Sequence, residues 1–249
     1  MAKTILDLLV AWGPVLALIL QAFLLSRFLD GKNRNYPLAI LYSVLLFFLT
    51  SVAILWQNGF SFLVKLFPQA RNVQFQSGLE VVIHVVLLAL MFQLLRLTSD
   101  RKGLPRTRLY LLVALTIGLF AGTLYWVSGK NLGRQFSTVR QVMSFWMVLL
   151  NLYWWTLLVG QKKISRRILL LSSGIGLQMT GQVVADGLLI AYIKQADQYG
   201  LILFVYAMVF LTHYLSLAVW YEAFHPKYAQ QEEPSLGMAL PKVRNGVKS

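Results

Sequence analysis

The sequence predicts an all-α fold, a seven-transmembrane helix bundle. Three observations predict it. Hydrophobic residues make up 57% of the 249-residue chain and charged residues only 13%, whereas a soluble domain carries about a quarter charged residues. Mean hydropathy is correspondingly high, at +0.63. Seven apolar runs each approach the roughly 20 residues needed to cross a hydrocarbon core of about 30 Å, and charged residues stand at every junction between them.

The first run, Ile5–Phe28, is too long for the apolar region of a secretion signal. It carries Asp7 near its start and has no small-x-small cleavage pattern before Arg27, so it reads as a retained helix. Pro14 removes a backbone donor within it and predicts a kink. Tyr36–Trp56 is the second run. Beyond it, Phe60, Phe62, Leu63, Leu66 and Phe67 surround Lys65 and stop at Pro68, the pattern of a short helix lying in the interface. The remaining runs are Gly78–Leu97, Leu109–Val127, Val142–Gly160, Ile168–Ile193 and Leu201–Ala223. Lys130–Arg140 reads as a second interfacial segment. Trp56, Tyr110, Trp126, Trp220 and Tyr221 fall at span ends, where amphipathic rings prefer to sit. Residues 1–225 thus form the membrane domain. Residues 226–249 form a polar tail with three prolines, expected to order only on a partner.

Basic residues set the orientation. With seven spans, one side of the membrane collects sixteen of the 23 lysines and arginines and the other collects seven. The richer side holds the Arg27–Arg34, Arg96–Arg108 and Lys162–Arg167 clusters and the tail. The bias places the N-terminus outside and the C-terminus in the cytoplasm. The net charge of +14 is then a topology signal whose partner is anionic lipid headgroups, not nucleic acid. The expected location is a bacterial inner membrane, multi-pass.

Small residues recur every fourth position at Ala114, Gly118 and Gly122, and again at Ser172, Gly176 and Thr180. Such stripes let helices approach closely. They predict that helices four and six are interior to the bundle, or form a seam between copies.

Ionisable groups at membrane depth are costly and therefore mark candidate sites. Asp7, Glu80 and Asp186 lie near the same end of their spans. His84 follows Glu80 by four residues, on one helical face and roughly 9 Å into its span. These four are expected to line one cavity as a ligand or proton site, or to form a satisfied structural network. Gln21, Asn151, Gln178, Gln182 and His213, with Glu222 at the opposite boundary, form a candidate polar seam. They are read either as interhelical hydrogen bonds or as a path across the bundle.

Several seven-helix chemistries fail on residue type. The last helix has no lysine for a retinal Schiff base and no Asn-Pro pair. His84 and His213 differ in depth by roughly 9 Å, which disfavours a haem between them. Too few histidines and no cysteine are present for a recognisable metal centre, so no metal site is assigned; the sequence does not identify a cofactor or pigment. No nucleophile–base pair is apparent, and the chain is expected not to be an enzyme.

Trp12-Gly13 with Gln21, Asn35-Tyr36-Pro37 followed by Tyr42, and Phe75 with Glu80 resemble a set of short bacterial seven-helix membrane proteins. That set is similar to the seven-helix input regions of some sensor kinases. The resemblance implies a sensory or binding bundle, or an accessory subunit working with other membrane subunits. Only the tail follows the seventh helix here. A small transporter or proton-coupled protein using the seam is the alternative. Aromatics on helix five, among them Phe145, Trp146, Trp154 and Trp155, are expected to supply part of an outward contact face.

The orientation is directly testable. A tag placed after Ser249 should survive protease added to intact spheroplasts, and its cleavage there would reverse the topology.

Overall fold

A bilayer offers no hydrogen bonds to the backbone, so apolar runs of this length close their bonds internally as helices. The computed structural model describes all residues except 1, 30–35, 58–72, 103–104, 131, 160–164, 193–197 and 229–249; some side chains beside these are also outside the description. Among the described residues the chain forms seven helices. They are α1 (Ala2–Leu29), α2 (Pro37–Gln57), α3 (Val73–Lys102), α4 (Arg106–Val127), α5 (Leu132–Val159), α6 (Arg166–Tyr192) and α7 (Gln198–Ala223). Prolines set two of the starts. Pro37 opens α2, where its missing donor costs nothing, and Pro105 precedes α4 in extended conformation. Pro14 lies inside α1, which continues past it to Leu29.

Six of the helices close a ring in the order α1, α2, α3, α5, α6, α7 and back to α1, with α6 and α7 making the most extensive contact. The core fills this ring. Leu24, Tyr42, Met91, Met147, Trp154 and Trp220 are among its fully buried members. Hydroxyls within the apolar helices are satisfied locally. Ser43, Thr98 and Ser173 each donate to the carbonyl four residues earlier, at 2.8 Å, which offsets the cost of placing them in a dry environment.

Helix α4 lies outside the ring, packed mainly on α5. The expectation that it is interior is overturned. Its buried residues are Thr116, Thr123 and Val127, and Ala114, Gly118 and Gly122 are all exposed. A Cβ added at Gly118 or Gly122 would meet nothing within 4 Å. The small-residue stripe therefore faces away from the bundle. One hydrogen bond, from Trp146 Nε1 to Thr116 Oγ1 at 2.8 Å, ties α4 to α5.

Helix α6 is interior, but the residues that allow its closest approach are not the predicted stripe. Ser172 and Gly176 face Asn151 of α5, and Thr180 is exposed. The contact with α7 instead runs through Gly174 and Gly181. A Cβ at Gly174 would fall 2.2 Å from the Trp220 ring, and one at Gly181 would fall 2.2 Å from Thr212 Oγ1.

The Lys130–Arg140 segment is also corrected. Its residues from Leu132 onward belong to α5. Gln135 Nε2 donates to the carbonyls of Lys130, at 2.7 Å, and Ser128, at 3.3 Å. Among the described residues, no separate interfacial helix forms there. The proposed interfacial segment around Phe60–Phe67 and the tail beyond residue 228 lie outside the described residues.

Helices α3 to α7 are each long and apolar enough to cross a membrane; the described apolar stretches of α1 and α2, Trp12–Phe28 and Pro37–Val52, are shorter than a full span. The exposed surface agrees with lipid as solvent. Tyr110 and Trp126 lie exposed near opposite ends of α4, about 24 Å apart along its axis. The chain is an all-α, multi-pass membrane protein.

Overpacking a close helix contact costs about 1–3 kcal/mol. Gly181→Ala should therefore lower the thermal denaturation midpoint in detergent, while Gly118→Ala should leave it unchanged. Equal behaviour of the two variants would contradict the assigned faces of α4 and α6.

Candidate functional site

Three ring helices bring charge together at one end of the bundle. Glu80 lies near the start of α3, Arg140 in the first third of α5, and Asp186 in the last third of α6. Arg140 Nη1 pairs with Glu80 Oε2, and its Nη2 lies 3.3 Å from Asp186 Oδ1. The three side chains differ in access, which decides their roles. Glu80 is 47% exposed and Arg140 23%, while Asp186 is only 9% exposed. Gln182, one turn before Asp186, donates to both of its carboxylate oxygens at 3.2 and 3.3 Å. Asp186 is thus the fixed inner anion and Glu80 the accessible one.

His84 sits beneath this pair and is buried. Its Nδ1 is 2.7 Å from the Glu80 carbonyl oxygen, which can only accept, so Nδ1 carries a proton. Its Nε2 lies 3.2 Å from the buried Ser144 hydroxyl of α5. In the neutral ring Nε2 accepts from that hydroxyl, which fixes both tautomer and orientation. Arg140 Nε is buried and has no hydrogen-bond partner among the described residues.

Of the four residues expected to share one cavity, the structure brings Glu80, His84 and Asp186 together around Arg140. Asp7 lies on α1, and its side chain is outside the described residues. Reading Arg140 only as a basic residue of an outer loop concealed it. The missed signal was its place four residues before Ser144 and seven before Met147, on the apolar face that α5 turns inward.

The remaining seam residues form separate clusters. Gln21 Nε2 lies 3.1 Å from Thr50 Oγ1 and 3.3 Å from His213 Nε2, joining α1, α2 and α7. Gln178 pairs with the Tyr42 hydroxyl, joining α6 to α2 at 2.7 and 2.9 Å. Asn151 Nδ2 donates to the Ser172 carbonyl at 2.9 Å, joining α5 to α6. Glu222 accepts from Lys227 Nζ at 2.7 Å and from Tyr228 at 3.0 Å. These hydrogen bonds hold the exposed Lys227 above the usual lysine range.

The opposite end of the ring holds a second arginine that the sequence reading counted only as topology. Arg167 is buried, donates from Nε to the Ala223 carbonyl at 3.0 Å, and lies 5.5 Å from the Tyr36 ring and 5.7 Å from the Phe224 ring. A cation at the C-terminal end of α7 meets the negative end of that helix dipole. Beside it, Arg27 donates to the Tyr221 hydroxyl at 2.6 Å and lies over the same ring.

Among the described residues, no three histidine or carboxylate side chains come together in a way that could hold a metal ion. No protein-family model, no curated protein and no solved structure matches the chain. Three of the residues behind the resemblance pack closely between helices. A Cβ at Gly13 would lie 2.8 Å from the Tyr214 hydroxyl of α7, and Tyr36 and Tyr42 are buried in the ring.

Removing Arg140 strands a buried carboxylate, which typically costs about 3–5 kcal/mol. Arg140→Gln should lower stability by that order, and Arg140→Gln combined with Asp186→Asn should recover most of the loss. A double variant as unstable as the single one would mean that Asp186 and Arg140 are not coupled.

Proposed function

We propose that the chain is a non-enzymatic, seven-span protein of the bacterial inner membrane. It is a sensory or binding bundle whose ligand site is the cluster of Glu80, His84, Arg140 and Asp186. Its basic end would face the cytoplasm, where a separate membrane subunit or partner receives the output. The observation that carries this reading is the shared guanidinium. One Arg140 is held between an accessible and an inaccessible carboxylate, and each of the three residues comes from a different helix.

The chemistry of the cluster points to the class of ligand. One guanidinium against two carboxylates leaves an excess negative charge, so a proton, an amine or another small cation is complementary to it. Glu80 is the group such a ligand reaches first. Capturing Glu80 would release it from Arg140, which then pairs with Asp186 alone. The link from α3 to α5 weakens while the link from α5 to α6 strengthens. A ligand shifts such an equilibrium only through its differential affinity for the two arrangements.

A transport reading has one observation in its favour. Gln178, Gln182 and Asp186 recur every four residues along α6, leading from the ionic cluster to Tyr42. Proton uptake by proteoliposomes under an imposed gradient tests that alternative.

The binding reading is tested on protein reconstituted in nanodiscs, with ammonium, spermidine, magnesium and calcium as probes across pH 5 to 8. At least one of these, or the proton itself, should shift the thermal midpoint, and Glu80→Gln should abolish the shift. A wild type insensitive to every probe and to pH would remove the cluster as a ligand site.

A further inference from the structure

Outside the ring, α4 and α5 leave a groove between them that the ionic cluster does not touch. It consists of two successive clefts. One, of about 320 Å³, is lined by Thr107, Arg108, Leu111, Leu112 and Tyr153. The next, of about 520 Å³, is lined by Leu115, Leu119, Val142, Phe145, Trp146 and Leu149, with Gln141 its one polar lining residue. From Thr107 to Leu119 the groove runs about 18 Å along α4, close to the roughly 15 Å depth of one bilayer leaflet.

Polar and apolar groups follow one another in a definite order. Thr107 and the exposed Arg108 stand at the mouth, on the basic end of the bundle, and leucines with three aromatic rings continue inward. A phospholipid has the same order, with an anionic headgroup at the interface and hydrocarbon below. The width also selects the occupant. A helix of about 10 Å diameter fills about 1,400 Å³ over 18 Å, more than the two clefts together provide. An extended hydrocarbon chain is narrower than a helix and needs no internal hydrogen-bonding partner.

We infer that the α4–α5 groove binds an anionic phospholipid, with its phosphate at Arg108 and one acyl chain lying along Leu111, Leu115 and Trp146. The lipid supplies the apolar cover that α4 receives from protein on one side only, and it holds α4 against α5 where Trp146 and Thr116 make their single hydrogen bond. This site is independent of the ligand reading of the ionic cluster.

The test is native mass spectrometry of the full chain in mild detergent, equilibrated with equal amounts of phosphatidylglycerol and phosphatidylcholine. Wild-type protein should retain phosphatidylglycerol in preference to phosphatidylcholine by about fivefold, the effect of one arginine near an anionic surface. Arg108→Gln should bring the ratio to near unity without loss of helicity. Leu115→Trp, which fills the groove from an exposed position, should reduce retention of both lipids together. Equal retention of the two lipids by the wild type would overturn the proposal. So would an undiminished preference in Arg108→Gln, or unchanged retention in Leu115→Trp. A dimer that forms only when lipid is stripped away would assign the groove to a second copy instead.

Discussion

An arginine in an apolar bundle must find acceptors for its guanidinium, because one left unpartnered in hydrocarbon costs about 2.5–3.5 kcal/mol or more. Arg140 meets that requirement with two carboxylates on two other helices, and the arrangement of the ring is consistent with it. Glu80 is on α3 and Asp186 on α6, so α5 must stand between them. Helix α4 joins α3 to α5 in the chain and would occupy that place in a simple sequential ring. With α3 and α5 held side by side by the ion pair, α4 sits outside, where its small-residue face and its aromatic ends meet lipid.

The two ends of the ring are held by different physics. At the Glu80 end the attraction is between full charges, and one member is accessible. At the other end, Arg167 lies beside two aromatic rings and donates to the last carbonyl of α7. Phe28 and Tyr36 add ring contacts to Phe224, with centroids 4.5 and 5.9 Å away. Cation–π and helix-end interactions of this kind are short-ranged and need dry, fixed geometry. The first end has one accessible ionic member, and the second is buried among rings and backbone.

Much of the fold was legible in the sequence because hydrocarbon imposes length and internal hydrogen bonding on each run. Each expected run falls on one of the seven described helices, five of which are long and apolar enough to cross a membrane, and Glu80, His84 and Asp186 do share one end. What was not legible depended on which face each helix turns inward. The Ala114–Gly118–Gly122 stripe has the spacing of an interior helix, yet small residues are also compatible with lipid, and spacing alone carries no direction. Gly174 and Gly181, seven residues apart, are the true close contacts on α6 and fell outside the four-residue pattern. Arg140 and Arg167 stand near span ends, where arginines usually serve topology. Their partners come from distant segments, which only the tertiary arrangement reveals.

Helix α6 carries a member of four polar clusters distributed from one end of the ring to the other. Asp186 and Gln182 belong to the ionic cluster, Gln178 pairs with Tyr42, Ser172 meets Asn151, and Arg167 holds the carbonyl end of α7. The clusters join different helix pairs, each closing on its own partners, so a change at one reaches the next through the rigid helix between them. A continuous proton wire would need polar groups bridging those clusters along the axis. A moving helix needs only that its contacts have two arrangements of similar energy, and under the proposed function these would be Arg140 paired with both carboxylates and Arg140 paired with Asp186 alone. Glycines at positions 174 and 181 keep α6 in close contact with α7, so displacement of α6 by the ionic cluster would carry α7 and the Arg167 end with it. Under the proposed binding function, that coupling would carry a change at the ionic cluster to the opposite end of the bundle.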